Sequence, residues 1–197
     1  VLLTHAHVDH MGGIFMELTE GMKPRFPNAT VWVHETELAF WTSPGLMEMC
    51  PEAQKNECAQ IQQGVQLLRA LLGDTLKTFS SGQELLPGIQ ALHTPGHTAG
   101  HTAFLLSSEG QKMLFVGDMV LNVQLQTAFP RVSIAFDADA PMGIETRLEW
   151  MEKAAHEKLW IAGSHFPFPG IGQLEKQSTE KYAFIPIQRE GERSAGQ

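Results

Sequence analysis

Short apolar runs along this chain end repeatedly in clusters of polar, ligand-type side chains. Residues 1–4 read as a buried strand that delivers His5-Ala6-His7-Val8-Asp9-His10-Met11-Gly12-Gly13. The two glycines let the backbone turn, and a helix is expected over residues 14–22. Residues 29–34 (Ala-Thr-Val-Trp-Val-His) are β-branched and aromatic, which predicts a strand; a helix over 35–41 follows, broken by Thr42-Ser43-Pro44-Gly45. From Pro51 onward, Ile61, Val65, Leu68, Leu71 and Leu72 recur at helical spacing, predicting an amphipathic helix that ends near Gly73. Strands are expected at 76–79 and 89–92, on either side of Ser80-Ser81-Gly82 and Pro87-Gly88. A hairpin pairs 102–107 with 113–116 and stops at Gly117-Asp118. The last helix spans 144–159, and a strand at 160–162 delivers Gly163-Ser164-His165.

Strands outnumber helices but both recur, and no repeat or linker divides the chain, so a mixed α and β domain is expected over residues 1–187. Residues 188–197 are polar and small and read as a disordered tail. A length of 197 residues suits one domain.

Composition narrows the partners. No apolar run approaches the ~20 residues that span a bilayer, so no membrane span is expected. The net charge is -8 and the Lys and Arg are scattered singly, which argues against a nucleic-acid partner. The chain starts without Met, inside a strand, so an upstream segment is expected to be missing. The compartment stays open: cytoplasmic, or periplasmic or secreted if that segment carried a signal peptide. Cys50 and Cys58 fit either one bridge or two free thiols.

The chemistry lies in four loops. His5, His7, Asp9 and His10 fall within six residues at a strand's mouth. Imidazole and carboxylate are donors that borderline divalent ions prefer, and alternate residues of an extended segment point the same way. His5 and His7 can therefore grip one ion, while Asp9 and His10, past the turn, face a neighbouring one. The second cluster, His93-Thr94-Pro95-Gly96-His97-Thr98-Ala99-Gly100-His101, offers His97 as ligand, with His93 and His101 as packed or capping histidines. Asp118 closes an apolar run, where a lone carboxylate would be costly unless paired or bound to metal. His165 ends a short strand in the same fashion.

His-x-His-x-Asp-His with its Gly-Gly, then Thr-Pro-Gly-His-Thr, Gly-Asp and Gly-Ser-His together resemble the metallo-β-lactamase superfamily. Phe40-Trp41, "GQKMLFVGDMVL", "GSHFPFPGIGQL" and "YAFIPI" further resemble the methyl parathion hydrolase group within it. The resemblance implies an α+β fold, a four-layer αββα sandwich, with the N-terminal part of the first sheet missing from this chain. It implies two divalent metal ions, zinc first, with manganese, iron or cobalt also suited to such donors. His5, His7 and His97 would hold one ion; Asp9, His10 and His165 the other; Asp118 would bridge. A bridging hydroxide would attack an ester, lactone or phosphotriester, with Asp9 and Asp118 as the catalytic carboxylates and Trp41 and Phe136 as walls of the substrate pocket.

An N-acyl homoserine lactonase (quorum quenching) is the alternative. It is weighed against Leu121, which stands where the best-known lactonases of this type carry a tyrosine. A β-lactamase and a non-enzymatic sensor are the remaining readings. The expected partner is a small molecule with a hydrophobic portion, and a homodimer is compatible with the sequence.

Overall fold

The first residues join the fold by backbone pairing: Leu2 forms a parallel bridge to Trp32, and Leu3 N–H donates to the Trp32 carbonyl at 2.9 Å. The expected first strand is therefore reduced to one bridge. The computed structural model describes residues 1–19 and 21–188, so the expected tail lies, but for Gln188, outside the described residues.

Past the ligand loop come α1 (Val8–Met11), a 3-10 turn (Gly12–Ile14), and the antiparallel pair β1 (Phe15–Leu18) and β2 (Gly21–Pro24). This corrects the helix expected over 14–22. With a 3-10 turn at its start, Gly21 within it and Pro24 two residues beyond, the stretch is shorter than the ~12–15 residues an isolated helix needs. Pairing as a hairpin supplies the backbone hydrogen bonds instead.

β3 (Val31–His34) runs straight into α2 (Glu35–Trp41), because His34 keeps an extended backbone while its Nδ1 accepts the Thr36 N–H at 3.1 Å, capping the helix. α3 (Leu46–Met49) is joined to the first turn of α4 (Lys55–Leu72) by a Cys50–Cys58 disulfide, so the bridged alternative holds. α4 buries Cys58, Ile61, Val65, Leu68 and Leu72 on one face, as its spacing predicts. β4 (Leu76–Phe79) pairs parallel with β3, Val31 opposite Leu76.

β5 (Glu84–Leu86), β6 (Ile89–His93), β7 (Thr102–Ser108) and β8 (Gln111–Phe115) form an antiparallel meander. α5 (Val123–Ala128) and α6 (Ala140–His156) follow; α6 starts four residues earlier than expected because Asp139 caps it, accepting the Met142 N–H at 3.0 Å. β9 (Trp160–Ala162) returns parallel to β8, and β10 (Ile171–Ser178) and β11 (Lys181–Pro186), neither expected, extend the sheet.

Among the described residues the large sheet runs β11-β10-β9-β8-β7-β6-β5. Ala103, Leu105 and Leu114 on one face pack with Trp150, Met151 and Ala154 of α6. Phe104 and Ala91 on the other face meet Phe79 of β4, with Trp32 alongside. The outer face of β3 packs with α2 and α4 through Val31, Val33, Trp41, Ile61 and Leu68. The layers are therefore helix, small sheet, large sheet, helix, the expected α+β sandwich. Each fully buried Leu, Ile or Val contributes roughly 1.5–3 kcal/mol. Beside the small sheet the large one leaves open a cleft of about 560 Å³, lined by Leu2, Ile89, Phe104, Leu106, Phe115 and Ile171. The four ligand-bearing loops gather along one edge of this sandwich.

Candidate metal centre

His5 and His7 lie on the extended segment after the Leu2 bridge, and Asp9 and His10 lie in α1, where the chain has turned. His97 sits between β6 and β7, Asp118 in the 3-10 turn after β8, and His165 after β9. Their ligand atoms converge in two sets, His5, His7, His97 and Asp118 in one and Asp9, His10 and His165 in the other, each within 4.8 Å. Asp118 stands at the centre: Oδ2 is 3.4 Å from His97 Nε2, 3.4 Å from His165 Nε2 and 3.8 Å from His5 Nε2, and Oδ1 is 3.1 Å from His10 Nε2. Asp9 Oδ2 lies 3.5 Å from His10 Nε2 and 3.4 Å from His165 Nε2. The structure thus brings together all seven residues singled out as ligands.

The donor set suits a cation. His7 Nδ1 and His97 Nε2 are 3.0 Å apart and could share one proton. The buried His5 Nε2, however, has no hydrogen-bond partner among the described residues, and leaving such a group unsatisfied costs about 1–3 kcal/mol. Burial, then the surrounding histidines, push His5 well below its ordinary pKa, and the same causes lower His7 to about 4. Burial alone would lower His10, but Asp118 and Asp9 outweigh it and raise it. Burial alone would raise Asp118, but His10, His97 and His165 outweigh it and hold the carboxyl below its usual range. Neutral His5 and His7 beside an ionised Asp118 are in the protonation states that metal binding requires, and His10 would give up its proton on binding.

Buried partners orient these ligands. Asp137 Oδ1 accepts from His97 Nδ1 at 3.1 Å, fixing the ring proton there and turning the Nε2 lone pair toward the cluster. Asp137 Oδ2 accepts the Ser133 hydroxyl at 3.0 Å and lies 3.5 Å from Arg147 Nη2. Arg147, 1% exposed, also donates to the carbonyls of Met119, Pro130 and Val132. Sequence reading missed both residues. His101, wholly buried, takes the packing role: Nδ1 meets the Thr94 carbonyl at 3.0 Å and Nε2 accepts the Asp118 N–H at 3.0 Å. Its pKa is lowered to about 3, by burial and then by His97. Gly117 has φ 52°, and a Cβ there would lie 2.6 Å from His101 Nε2, so only glycine lets the turn present Asp118 so close to this ring. His93 stacks on His34 at 4.5 Å, outside both ligand sets.

Two cavities meet at the cluster. One of about 240 Å³ is lined by Asp9, Asp118, His165 and Leu121. The other, about 470 Å³, runs outward past Phe40, Trp41, Met49 and Met142. His7, His97, Glu57, Ile61 and Phe136 line both. Trp41 is buried at 5% exposure, while Phe136, at 54%, stands at the rim.

A family model described as the metallo-beta-lactamase superfamily matches residues 1–158. The hydroxyacylglutathione hydrolase GloC of Haemophilus influenzae is 31% identical over 136 residues, 66% of this chain and 54% of its own. A solved structure described as hydrolase AbOPH in the beta lactamase superfamily superposes with a TM-score of 0.88 at 32% identity, over 96% of this chain and 64% of its own. AidC, a dizinc quorum-quenching lactonase, superposes with a TM-score of 0.84 at 24% identity over the same shares, a likeness of fold. The chain therefore spans between half and two thirds of the length of these relatives.

Proposed function

This chain belongs to the metallo-β-lactamase superfamily, and from that premise we propose that it is a two-metal hydrolase of esters, lactones or phosphotriesters carrying a hydrophobic portion. The observation that carries the reading is the convergence of seven ligand-type side chains, from four separate loops, in two sets around Asp118. His5, His7 and His97 would hold one ion and Asp9, His10 and His165 the other, with Asp118 shared. Zinc is the first candidate by donor chemistry. Such a pair of ions lowers the pKa of bound water toward about 7 and polarises the group under attack.

The chain's own residues supply orientation and binding. Asp118, held below its usual pKa and anchored through its backbone by His101, stays ionised at the centre. Asp9, exposed at the inner cavity, would accept a proton from the reacting water or pass one to the leaving group. The outer cavity, walled by Phe40, Trp41, Met49, Phe136 and Met142, suits an acyl chain or aryl group and shields it from water. This long apolar approach favours N-acyl homoserine lactones as the second, narrower reading; Leu121, lining the inner cavity, offers no hydroxyl to such a substrate.

The test is metal content followed by turnover of a panel of esters, lactones and phosphotriesters of graded acyl or aryl size, with and without chelator. The proposal expects turnover that disappears with the metal and returns on adding it back. Turnover that survives metal removal would end it.

A further inference from the structure

Glu37, the third residue of α2, is wholly buried, and its carboxylate belongs to neither ligand set. Its Oε1 accepts the Ala6 N–H at 2.9 Å and the Trp41 indole N–H at 2.8 Å. Its Oε2 accepts the Thr98 hydroxyl at 2.7 Å and the Gly100 N–H at 2.9 Å. Ala6 is the residue between His5 and His7; Thr98 follows His97; Trp41 walls the outer cavity. A carboxylate offers about four acceptor positions, and here all four are filled from the two loops that carry three imidazole ligands and from the cleft wall. A glutamate merely satisfied in a core could draw donors from anywhere, whereas these come only from parts of the site.

The packing leaves no slack. A Cβ on Gly100 would lie 2.1 Å from the Glu37 backbone nitrogen, so the His97 loop rests directly on α2. His34 fixes the start of that helix through the Thr36 N–H. The carboxylate is therefore held rigidly from its own side and holds the two loops from theirs.

We propose that Glu37 is a positioning residue that sets the separation of the His5–His7 and His97 loops and the angle of Trp41 together, so that ion affinity and the shape of the apolar cleft depend on one side chain. The inference rests on the reading of the seven residues as ligands. Glu37 touches neither ion nor substrate.

Glu37→Gln keeps the shape but replaces one acceptor oxygen with an NH2 group. The Thr98 hydroxyl can reverse to accept from it, leaving at least one N–H, that of Gly100, without a partner. The experiment measures zinc dissociation constants by chelator competition, the visible spectrum of the cobalt(II)-loaded protein, and the melting of metal-free protein. Leu68→Ala, from a position 1% exposed in the same core, on α4 and outside both ligand loops, serves as a destabilised control. The expected result is that Glu37→Gln weakens zinc binding by about tenfold or more and alters the cobalt spectrum, while Leu68→Ala lowers the melting temperature and leaves both unchanged. If Glu37→Gln does not yield folded protein, Thr98→Val, which removes one donor, carries the test, with a smaller weakening expected. Lowered melting with unchanged zinc affinity and cobalt spectrum in the glutamate variant, or in the threonine variant standing in for it, overturns the proposal. Wild-type protein that binds no zinc would instead overturn the ligand reading beneath it.

Discussion

Removing the carboxylate behind His97 separates the contribution of orientation from that of ligation. Asp137 is 1% exposed at its side chain and sits 3.1 Å from His97 Nδ1 and 3.5 Å from Arg147 Nη2. Burial would raise its pKa, but His97, Ser133 and Arg147 outweigh that and hold it ionised. Asp137→Asn keeps an acceptor for the imidazole but deletes the charge, and Asp137→Ala deletes both. Loss of such a partner typically weakens metal binding 10–100-fold, or about 1.4–2.7 kcal/mol. The asparagine variant is expected near the lower end and the alanine variant near the upper. The alanine variant also strands Arg147, whose three carbonyl partners take the Nε and Nη1 hydrogens but leave Nη2 and the charge without Asp137. Breaking a buried pair on one side costs about 3–5 kcal/mol, so the metal-free alanine variant should unfold at clearly lower urea. Zinc affinity by competition with a chromophoric chelator, and urea midpoints with chelator present, read the two effects separately. Wild-type zinc affinity in both variants would refute the claim that Asp137 fixes the His97 tautomer for a metal.

Asp118→Ala should lose ion binding and turnover by orders of magnitude, while the exposed His156→Ala should change neither; equal activity in the two would contradict the ligand assignment. The metal-free protein should lose stability as pH falls. His5, His7 and His101 have folded pKa values below the ordinary 6.5, so the unfolded chain takes up their protons first, from about pH 6.5 down through about 4 for His7 and about 3 for His101. His10, raised, opposes this with stability that is present below 6.5 and lost as pH rises through its folded value, but it is one histidine against these three and His34, which burial also lowers. Urea midpoints at pH 7.5 and 5 check the net sign, and a higher midpoint at pH 5 would reverse it. The Cys50–Cys58 bridge closes a loop across a sequence separation of 8, for which chain entropy gives roughly 2.5 kcal/mol. Reductant should lower the urea midpoint accordingly, and an unchanged midpoint would argue against the bridge.

Much of this architecture is legible in the residues because local chemistry and tertiary role agree. The strand at Val31–His34 and the helix at Glu35–Trp41 meet where β-branched residues give way to a capping side chain. The ligands could be found because each follows an apolar run, and a buried strand that ends in imidazole or carboxylate needs a reason. Asp137 and Glu37 carry no such mark. Each is one acid among several in its segment, and its importance arises from partners 40 or up to 63 positions away. β10 and β11 escaped notice because their polar residues, such as Glu175, Lys176 and Lys181, lie exposed on a solvated part of the sheet. The β1–β2 hairpin departs from the helix expected there because nine residues set no clear period, and pairing decides the outcome.

Anomalous diffraction from zinc-soaked crystals tests the central claim most directly. Two peaks are expected, about 3.5–4 Å apart, one among His5, His7 and His97 and the other among Asp9, His10 and His165, with Asp118 reaching both. The absence of any peak there, or zinc ordered only elsewhere on the molecule, would contradict it.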